Sequence, residues 1–334
     1  MLIDYQKICE DIFQNLTPRK RQILEKRFGV TGENPSTLQA IGDELDITRE
    51  RVRQIENDAF NMIRETQKAQ LEKPFQRFFD YFEEYGGLRE ETKLLEELGE
   101  GKFQNHVLLL LNLGNDFNKL KETNNFFPFW TPEINNIKKA QDVIENIIKE
   151  FKKSEALMEI EEVGQKITFN LQVPILVSYI DISKFVFQSP SGYYGLVEWP
   201  EINPRGIKDE AYLVLKNENK PIHFVKIAQL ISDLPFVSKN ILPESVHNEL
   251  IRNDRFVLIG RGIYALKEWG YESGTVKDII KKVLKKSKKA LNSKEIIKKV
   301  LEQRQVKEST ILLNLQDKKF FQKDKKGKYN LFKK

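Results

Sequence analysis

The 334 residues are 40% hydrophobic and 31% charged, a globular composition long enough for two or three domains. No apolar run approaches the roughly 18 residues of a membrane span. The net charge of +6 is uneven: residues 272–334 hold 20 Lys and Arg against 7 Asp and Glu, a net of +13, which leaves the first 271 residues at −7. Cys9 is the single cysteine, so neither an internal disulfide nor a thiolate zinc site is possible, and the start Met1-Leu2-Ile3-Asp4 lacks a signal-peptide pattern; a cytoplasmic protein is expected.

In chain order, the first strong pattern is at residues 36–64. Ser36 followed by Gln39 reads as a capping box, and Leu38, Ile41 and Leu45 give the helix behind it an apolar face. Asp46-Ile47 is a turn. Thr48 then caps a second helix with Val52, Ile55, Ala59 and Met62 inward and Arg49, Glu50, Arg53 and Gln54 outward. Those outward residues share one face at the helix start, which is where a recognition helix carries the side chains that reach base edges. Arg pairs with guanine, Gln with adenine, and Glu accepts from the cytosine amino group, while Arg51 points sideways toward a phosphate. The candidate DNA-binding residues are Arg49, Glu50, Arg51, Arg53, Gln54, Thr37 and Thr48.

Further on, Gly86-Gly87-Leu88 through Phe129-Trp130 reads as a partial domain with helices at 94–98 and 107–113. The cluster Phe126-Phe127-Pro128-Phe129-Trp130 has no adjacent basic residue and reads as core. Residues 134–151 form one amphipathic helix with Ile134, Ile137, Val143, Ile147 and Phe151 on its apolar face. An internal repeat follows. Gly192-Tyr193-Tyr194-Gly195-Leu196 aligns with Gly262-Ile263-Tyr264-Ala265-Leu266 and with Gly327-Lys328-Tyr329-Asn330-Leu331, at spacings of 70 and 65 residues. Each copy ends in strand periodicity. In the second, residues 256–259, a glycine turn and residues 263–266 make a β-hairpin behind helices at 209–215, 224–231 and 244–252. The third has helices at 276–284, 293–301 and 309–315 before its hairpin. Three helices and a hairpin make a winged helix. The expected fold is mainly α, with tandem helix-turn-helix and winged-helix domains and small β-hairpin wings. The expected boundaries are 1–70, 71–133, 134–204, 205–271 and 272–334, the last being the basic unit.

The runs Leu16-Thr17-Pro18-Arg19-Lys20-Arg21-Gln22-Ile23-Leu24-Glu25-Lys26-Arg27-Phe28-Gly29, Thr37-Leu38-Gln39-Ala40-Ile41-Gly42 and Thr48-Arg49-Glu50-Arg51-Val52-Arg53-Gln54-Ile55-Glu56 closely resemble region 4 of sigma-70 family RNA polymerase sigma factors, over about residues 15–65. The resemblance implies that Arg49, Glu50 and Gln54 read a promoter minus-35 element, with Arg51 and Arg53 as backbone contacts or supports. It also implies that the helix around Arg19 to Arg27 lies along the DNA backbone and that the module touches the β flap of core RNA polymerase. Ala40 departs from the acidic or amide residue usual there. Residues 205–271, through Pro243-Glu244-Ser245-Val246-His247-Asn248-Glu249-Leu250, Asn253, Phe256-Val257 and Gly260-Arg261-Gly262-Ile263-Tyr264-Ala265-Leu266-Lys267-Glu268-Trp269, resemble the HARE-HTH winged helix of the polymerase delta subunit. Only the fold is carried over, with Tyr264, Leu266 and Trp269 as core residues.

The functional expectation is a DNA-binding transcription factor related to sigma factors, associated with RNA polymerase and not acting alone as a complete sigma factor. The alternative is a delta-subunit-like polymerase accessory protein working by protein contact, a reading prompted by the near balance of 11 basic and 12 acidic residues in the first 70. An enzyme is not expected. There is no phosphate-binding glycine loop, the pairs Glu83-Glu84, Glu90-Glu91 and Glu96-Glu97 are adjacent residues that rarely converge on one substrate, and His106, His223 and His247 are far apart. No catalytic residue, metal, cofactor, membrane or small-molecule substrate is expected.

Overall fold

The computed structural model describes residues 3–234, 237, 240–287 and 289–332. The chain is mainly helical with small antiparallel sheets and forms two compact units, Met1–Glu198 and Trp199–Lys334.

The first unit opens with α1 (Tyr5–Phe13), α2 (Pro18–Phe28), α3 (Leu38–Glu44) and α4 (Arg49–Thr66). Asp4 caps α1, and Thr17 caps α2 with Pro18 in the first turn, where a missing N–H costs nothing. Gly29 closes α2 in the left-handed conformation. Next come α5 (Lys68–Glu84), β1 (Arg89–Glu90), α6 (Glu91–Leu98), α7 (Gln104–Leu113), β2 (Asn118–Leu120) and β3 (Phe129–Thr131), with sheet order β1-β3-β2. The unit ends with α8 (Asn135–Ser154), α9 (Ile160–Lys166), α10 (Val173–Ile182) and the hairpin of β4 (Val186–Gln188) and β5 (Tyr194–Leu196).

The second unit contains α11 (Ile207–Glu218), β6 (Ile222–His223), α12 (Phe224–Ser232), α13 (Pro243–Arg252), β7 (Phe256–Gly260) and β8 (Ile263–Leu266), with sheet order β6-β8-β7. It continues with α14 (Val276–Ser287), α15 (Ser293–Leu301), α16 (Glu308–Leu315) and the hairpin of β9 (Phe321–Lys323) and β10 (Tyr329–Leu331). Its two halves are stitched by the Gln305 N–H donating to the Ile259 carbonyl at 2.8 Å. Arg304, 3% exposed, donates to the carbonyls of Gln303, Glu272 and Gly274 and fixes the start of the basic half.

One pairing recurs four times. The residue just ahead of the second helix of each segment pairs with an aromatic residue on its last strand: Arg89 with Trp130, Met158 with Tyr194, Ile222 with Tyr264, and Leu291 with Tyr329. The repeat glycines Gly192, Gly262 and Gly327 all have positive φ, between 71° and 91°, so each sets its strand entry in a conformation that a β-carbon would strain. Gly262 has the further reason that a β-carbon would lie 2.5 Å from His223 Nε2.

The expected helices form, with small shifts. Tyr264 and Leu266 are buried and Trp269 is partly buried against the same core. Phe129 and Trp130 are core residues, while Phe126 and Phe127 are half-buried. Ile134 is a correction: it is 63% exposed and lies ahead of the α8 helix, because the apolar stripe starts only after the turn that Pro132 and Glu133 enter. No helix among the described residues is long and apolar enough to cross a membrane.

Candidate nucleic-acid interface

The interface is set by α3, the turn at residues 45–48, and α4. Thr37, in extended conformation, is the N-cap of α3, its Oγ1 accepting the Ala40 N–H at 3.1 Å. This corrects the expected capping box. With the cap at residue 37 the reciprocating position falls on Ala40, which has no acceptor. Gln39 instead donates to Asp43 at 2.7 Å, and Ser36 is held by its backbone, its N–H on the Lys26 carbonyl and its carbonyl accepting from Arg27. Thr48 caps α4 as expected, with Oγ1 accepting the Arg51 N–H at 3.2 Å. Both threonine hydroxyls therefore use an acceptor lone pair locally and keep the O–H available as a donor.

The turn is tight. The Ile47 N–H donates to the Gly42 carbonyl at 2.9 Å, and Asp46 takes a φ of 51°. A β-carbon on Gly42 would sit 2.7 Å from the Ile47 carbonyl oxygen and 3.3 Å from the Arg49 nitrogen. Gly42 thus lets α3 approach the turn that launches α4. Its position inside an apolar helical pattern is the sequence signal that could have marked it.

Helix α4 serves two cores. Val52 and Ile55 pack with Ile23, Ile41, Leu38, Leu45 and Ile47 in a small cluster that fixes α2, α3 and the start of α4. Its later turns, through Ala59, Phe60 and Ile63, join a larger cluster that runs on through α5 and α7, including Phe78, Phe82, Leu110, Phe117 and Trp130. Met62, read as inward, is only partly buried at the edge of that cluster, with Ile63 taking the fully buried place. Arg64 closes the junction by donating to the Leu113 carbonyl at 2.7 Å and the Asn112 carbonyl at 3.2 Å, a cation at the C-terminal end of α7.

The outward face of the first turns holds the predicted residues together, all exposed: Arg49, Glu50, Arg51, Arg53 and Gln54. Four of them are joined in two pairs. Arg53 grips Glu50 in a bidentate pair, Nε to Oε2 at 2.9 Å and Nη2 to Oε1 at 2.6 Å. Arg51 Nη1 donates to Gln54 Oε1 at 3.1 Å. The Arg53 hydrogen bond holds the Glu50 carboxyl below the usual glutamate range, with Gln54 and the nearby Arg49 adding to the effect. Arg53 is correspondingly raised, chiefly by its hydrogen bond to Glu50. Arg49 has no hydrogen-bond or ion-pair partner among the described residues.

Helix α2 divides its cations. Lys26 pairs with Glu44 at 2.8 Å, Arg27 with Glu56 at 3.5 Å, and Arg21 with Glu25 at 2.7 Å. Lys26 and Arg27 therefore tie α2 to α3 and α4, a role that spacing alone does not reveal. Burial raises the Glu56 carboxyl, with Arg27 opposing. Arg19 and Lys20 make no such pair among the described residues. Elsewhere, Cys9 is buried and its thiol is pushed up to about 12 by that burial, so it is no nucleophile. Among the described residues no three of His, Cys, Asp and Glu gather as metal ligands would.

Helix, tight turn and second helix with an exposed polar face at its start define the module as a helix-turn-helix. Residues 12–65 match the family model described as Sigma-70, region 4. Over 64 residues the chain is 38% identical to an RNA polymerase sigma factor RpoD of Neisseria gonorrhoeae, a stretch that is 19% of this chain and 10% of that protein. Over 66 residues it is 38% identical to an RNA polymerase sigma-C factor of Nostoc sp., 20% of this chain and 16% of that one. The chain thus spans less than a fifth of the length of these relatives, and residues 12–65 are its sigma-70 region 4 domain.

Proposed function

We propose that this protein is a sigma-related, DNA-binding transcription factor whose region 4 domain reads a minus-35-like duplex site. The observation that carries the reading is the exposed group Arg49, Glu50, Arg51, Arg53 and Gln54 on the first turns of α4, in a domain matched to sigma-70 region 4. In the major groove, Arg49 takes a guanine edge, and Glu50 and Gln54 take cytosine and adenine edges. Arg53 holds Glu50 in place and Arg51 supports Gln54, each free to swing to a phosphate when its partner engages a base. The Thr37 and Thr48 hydroxyls, with Arg19 and Lys20, contact the backbone. The same domain meets the β flap of core RNA polymerase.

The segments after residue 70 are tandem winged helices, with 205–271 of the HARE-HTH type; the repeated strand-to-aromatic pairing supports this. Of their third helices, α7, α10 and α16 carry no Lys or Arg, and α13 carries only Arg252. Half of α7 and half of α10 is buried, and the exposed large apolar side chains of α13 and α16 are Ile251, Leu312 and Leu313.

The test is fluorescence anisotropy of the full chain on a duplex carrying a minus-35-like element and on a shuffled duplex, with and without core polymerase. The reading expects preference for the first duplex, reduced tenfold or more by Arg49→Ala with Gln54→Ala. Equal affinity for both duplexes in both conditions would sink it.

A further inference from the structure

The four segments after residue 70 share a plan, yet only the last carries a cluster of lysines on its hairpin. The connection between β2 and β3 contains one basic residue, Lys121, beside Glu122; that between β4 and β5 contains none; that between β7 and β8 contains Arg261 alone. In the last hairpin Lys323, Lys325, Lys326 and Lys328 are all exposed, and Lys318 and Lys319 directly precede it. Asp324 is the only acidic residue from Phe320 to Phe332. Its Oδ1 accepts the backbone N–H groups of Lys326 and Lys328, both at 2.9 Å, so it shapes the turn and makes no ion pair with a lysine side chain among the described residues.

In the helices of the same segment the lysines are divided: Lys285, Lys294, Lys298 and Lys299 are exposed with no carboxylate partner among the described residues, and the others are neutralised. Lys277 pairs with Asp317 at 2.7 Å, and Lys282 and Lys286 share Glu272 at 2.9 and 2.6 Å, holding its carboxyl down at about 2. Lys281 lies over the Phe320 ring at 3.8 Å and within 3.8 Å of Asp278. The hairpin ammonium groups have no carboxylate partner among the described residues. Unneutralised charge on flexible stems, projecting from a narrow two-stranded ribbon, suits the regularly spaced phosphates of a nucleic-acid backbone. It does not suit base reading, which needs planar or bidentate groups on a helix or strand, and α16 has no basic residue between Glu308 and Leu315.

We propose that the β9–β10 hairpin is a sequence-independent phosphate contact for duplex DNA, separate from the reading face of α4. The hairpin grips any duplex, and α4 supplies the choice of site.

The experiment measures affinity of the full chain for a mixed-sequence duplex without a minus-35-like element, by anisotropy from about 50 to 200 mM salt. The quadruple variant Lys323→Gln, Lys325→Gln, Lys326→Gln, Lys328→Gln is compared with a control of exposed helix lysines, Lys294→Gln, Lys298→Gln, Lys299→Gln, and with Arg49→Ala/Gln54→Ala. Each lysine on a phosphate contributes about 0.9 to the slope of log affinity against log salt, so the hairpin variant is expected to flatten it by about 3 to 4. The helix control and the α4 variant should leave most of it, and circular dichroism should match the parent in every case. An unchanged slope in the hairpin variant, an equal loss per charge in the helix control, or no measurable binding of the parent at 50 mM salt would each overturn the proposal. So would a hairpin variant that keeps its duplex affinity and loses binding to core polymerase, which would assign the lysines to a protein partner.

Discussion

Substituting Gly42→Ala sets two familiar effects against each other in the turn that launches α4. Gly42 has ordinary helical φ, so alanine gains about 1 kcal/mol of helix propensity. The new β-carbon would meet the Ile47 carbonyl oxygen at 2.7 Å, a backbone atom that cannot rotate away, and the Arg49 nitrogen at 3.3 Å. Relief requires the turn to lift by several tenths of an ångström. That strains the 2.9 Å bond from the Ile47 N–H to the Gly42 carbonyl, worth about 1 kcal/mol, and overpacking itself costs about 1–3 kcal/mol. The clash wins, by about 1–3 kcal/mol. For a unit of this size each kcal/mol corresponds to about 2–4 °C in Tm, so a loss of roughly 2–12 °C is expected in the transition of the first unit. DNA affinity should fall beyond what unfolding explains, because the displaced atoms carry Thr48 and Arg49. A Tm that rises, as propensity alone dictates, would refute the reasoning.

Other substitutions test other parts of the structure. Arg89 is buried with Nη1 on Asp181 at 2.8 Å, Nη2 on Glu97 and Nε on the Tyr81 hydroxyl, so Arg89→Met strands two carboxylates. Lys93 still neutralises Asp181 at 2.5 Å and Glu97 is partly exposed, which reduces the expected loss to about 2–4 kcal/mol by urea denaturation. Thr48→Ala removes the α4 cap and should cost about 1 kcal/mol, with Thr48→Asp retaining it; equal melts for the two would contradict the cap. Glu272 should titrate at about 2 by NMR and return toward the ordinary glutamate value in Lys282→Gln/Lys286→Gln. Because its folded value is depressed, its stabilising contribution is full above the unfolded glutamate value, about 4.3, and is lost as pH falls from there toward about 2.

Much of this arrangement was legible in the residues, for local reasons. A repeated Gly-x-Tyr-x-Leu marks a positive φ at Gly192, Gly262 and Gly327 and an aromatic residue that closes a sheet. The polar face of α4 follows from helical spacing, and Thr48 announces its helix; for α15 the residues allow Asn292 or Ser293 as the cap, and the structure has Asn292, with a full capping box to Glu295. The parts that were not legible depend on contacts far apart in the chain. Thr37 displaces Ser36 as the cap because Arg27 and the Lys26 carbonyl hold the Ser36 backbone against α2. The pairing of Arg51 with Gln54 and of Arg53 with Glu50 is a choice among several rotamers that spacing permits. Arg64 meets α7 across 48 and 49 residues of sequence, and nothing near Arg64 in the chain signals it.

The central claim is that α4 chooses a DNA sequence through the side chains of its first turns. The most direct test is selection of duplexes bound by the full chain from a random pool, run in parallel with the Arg49→Ala/Gln54→Ala variant after its melt has been matched to the parent. The claim predicts that the parent enriches one short motif related to the minus-35 element and that the variant enriches none. Recovery of the same motif by both proteins, or of no motif by either, would contradict it.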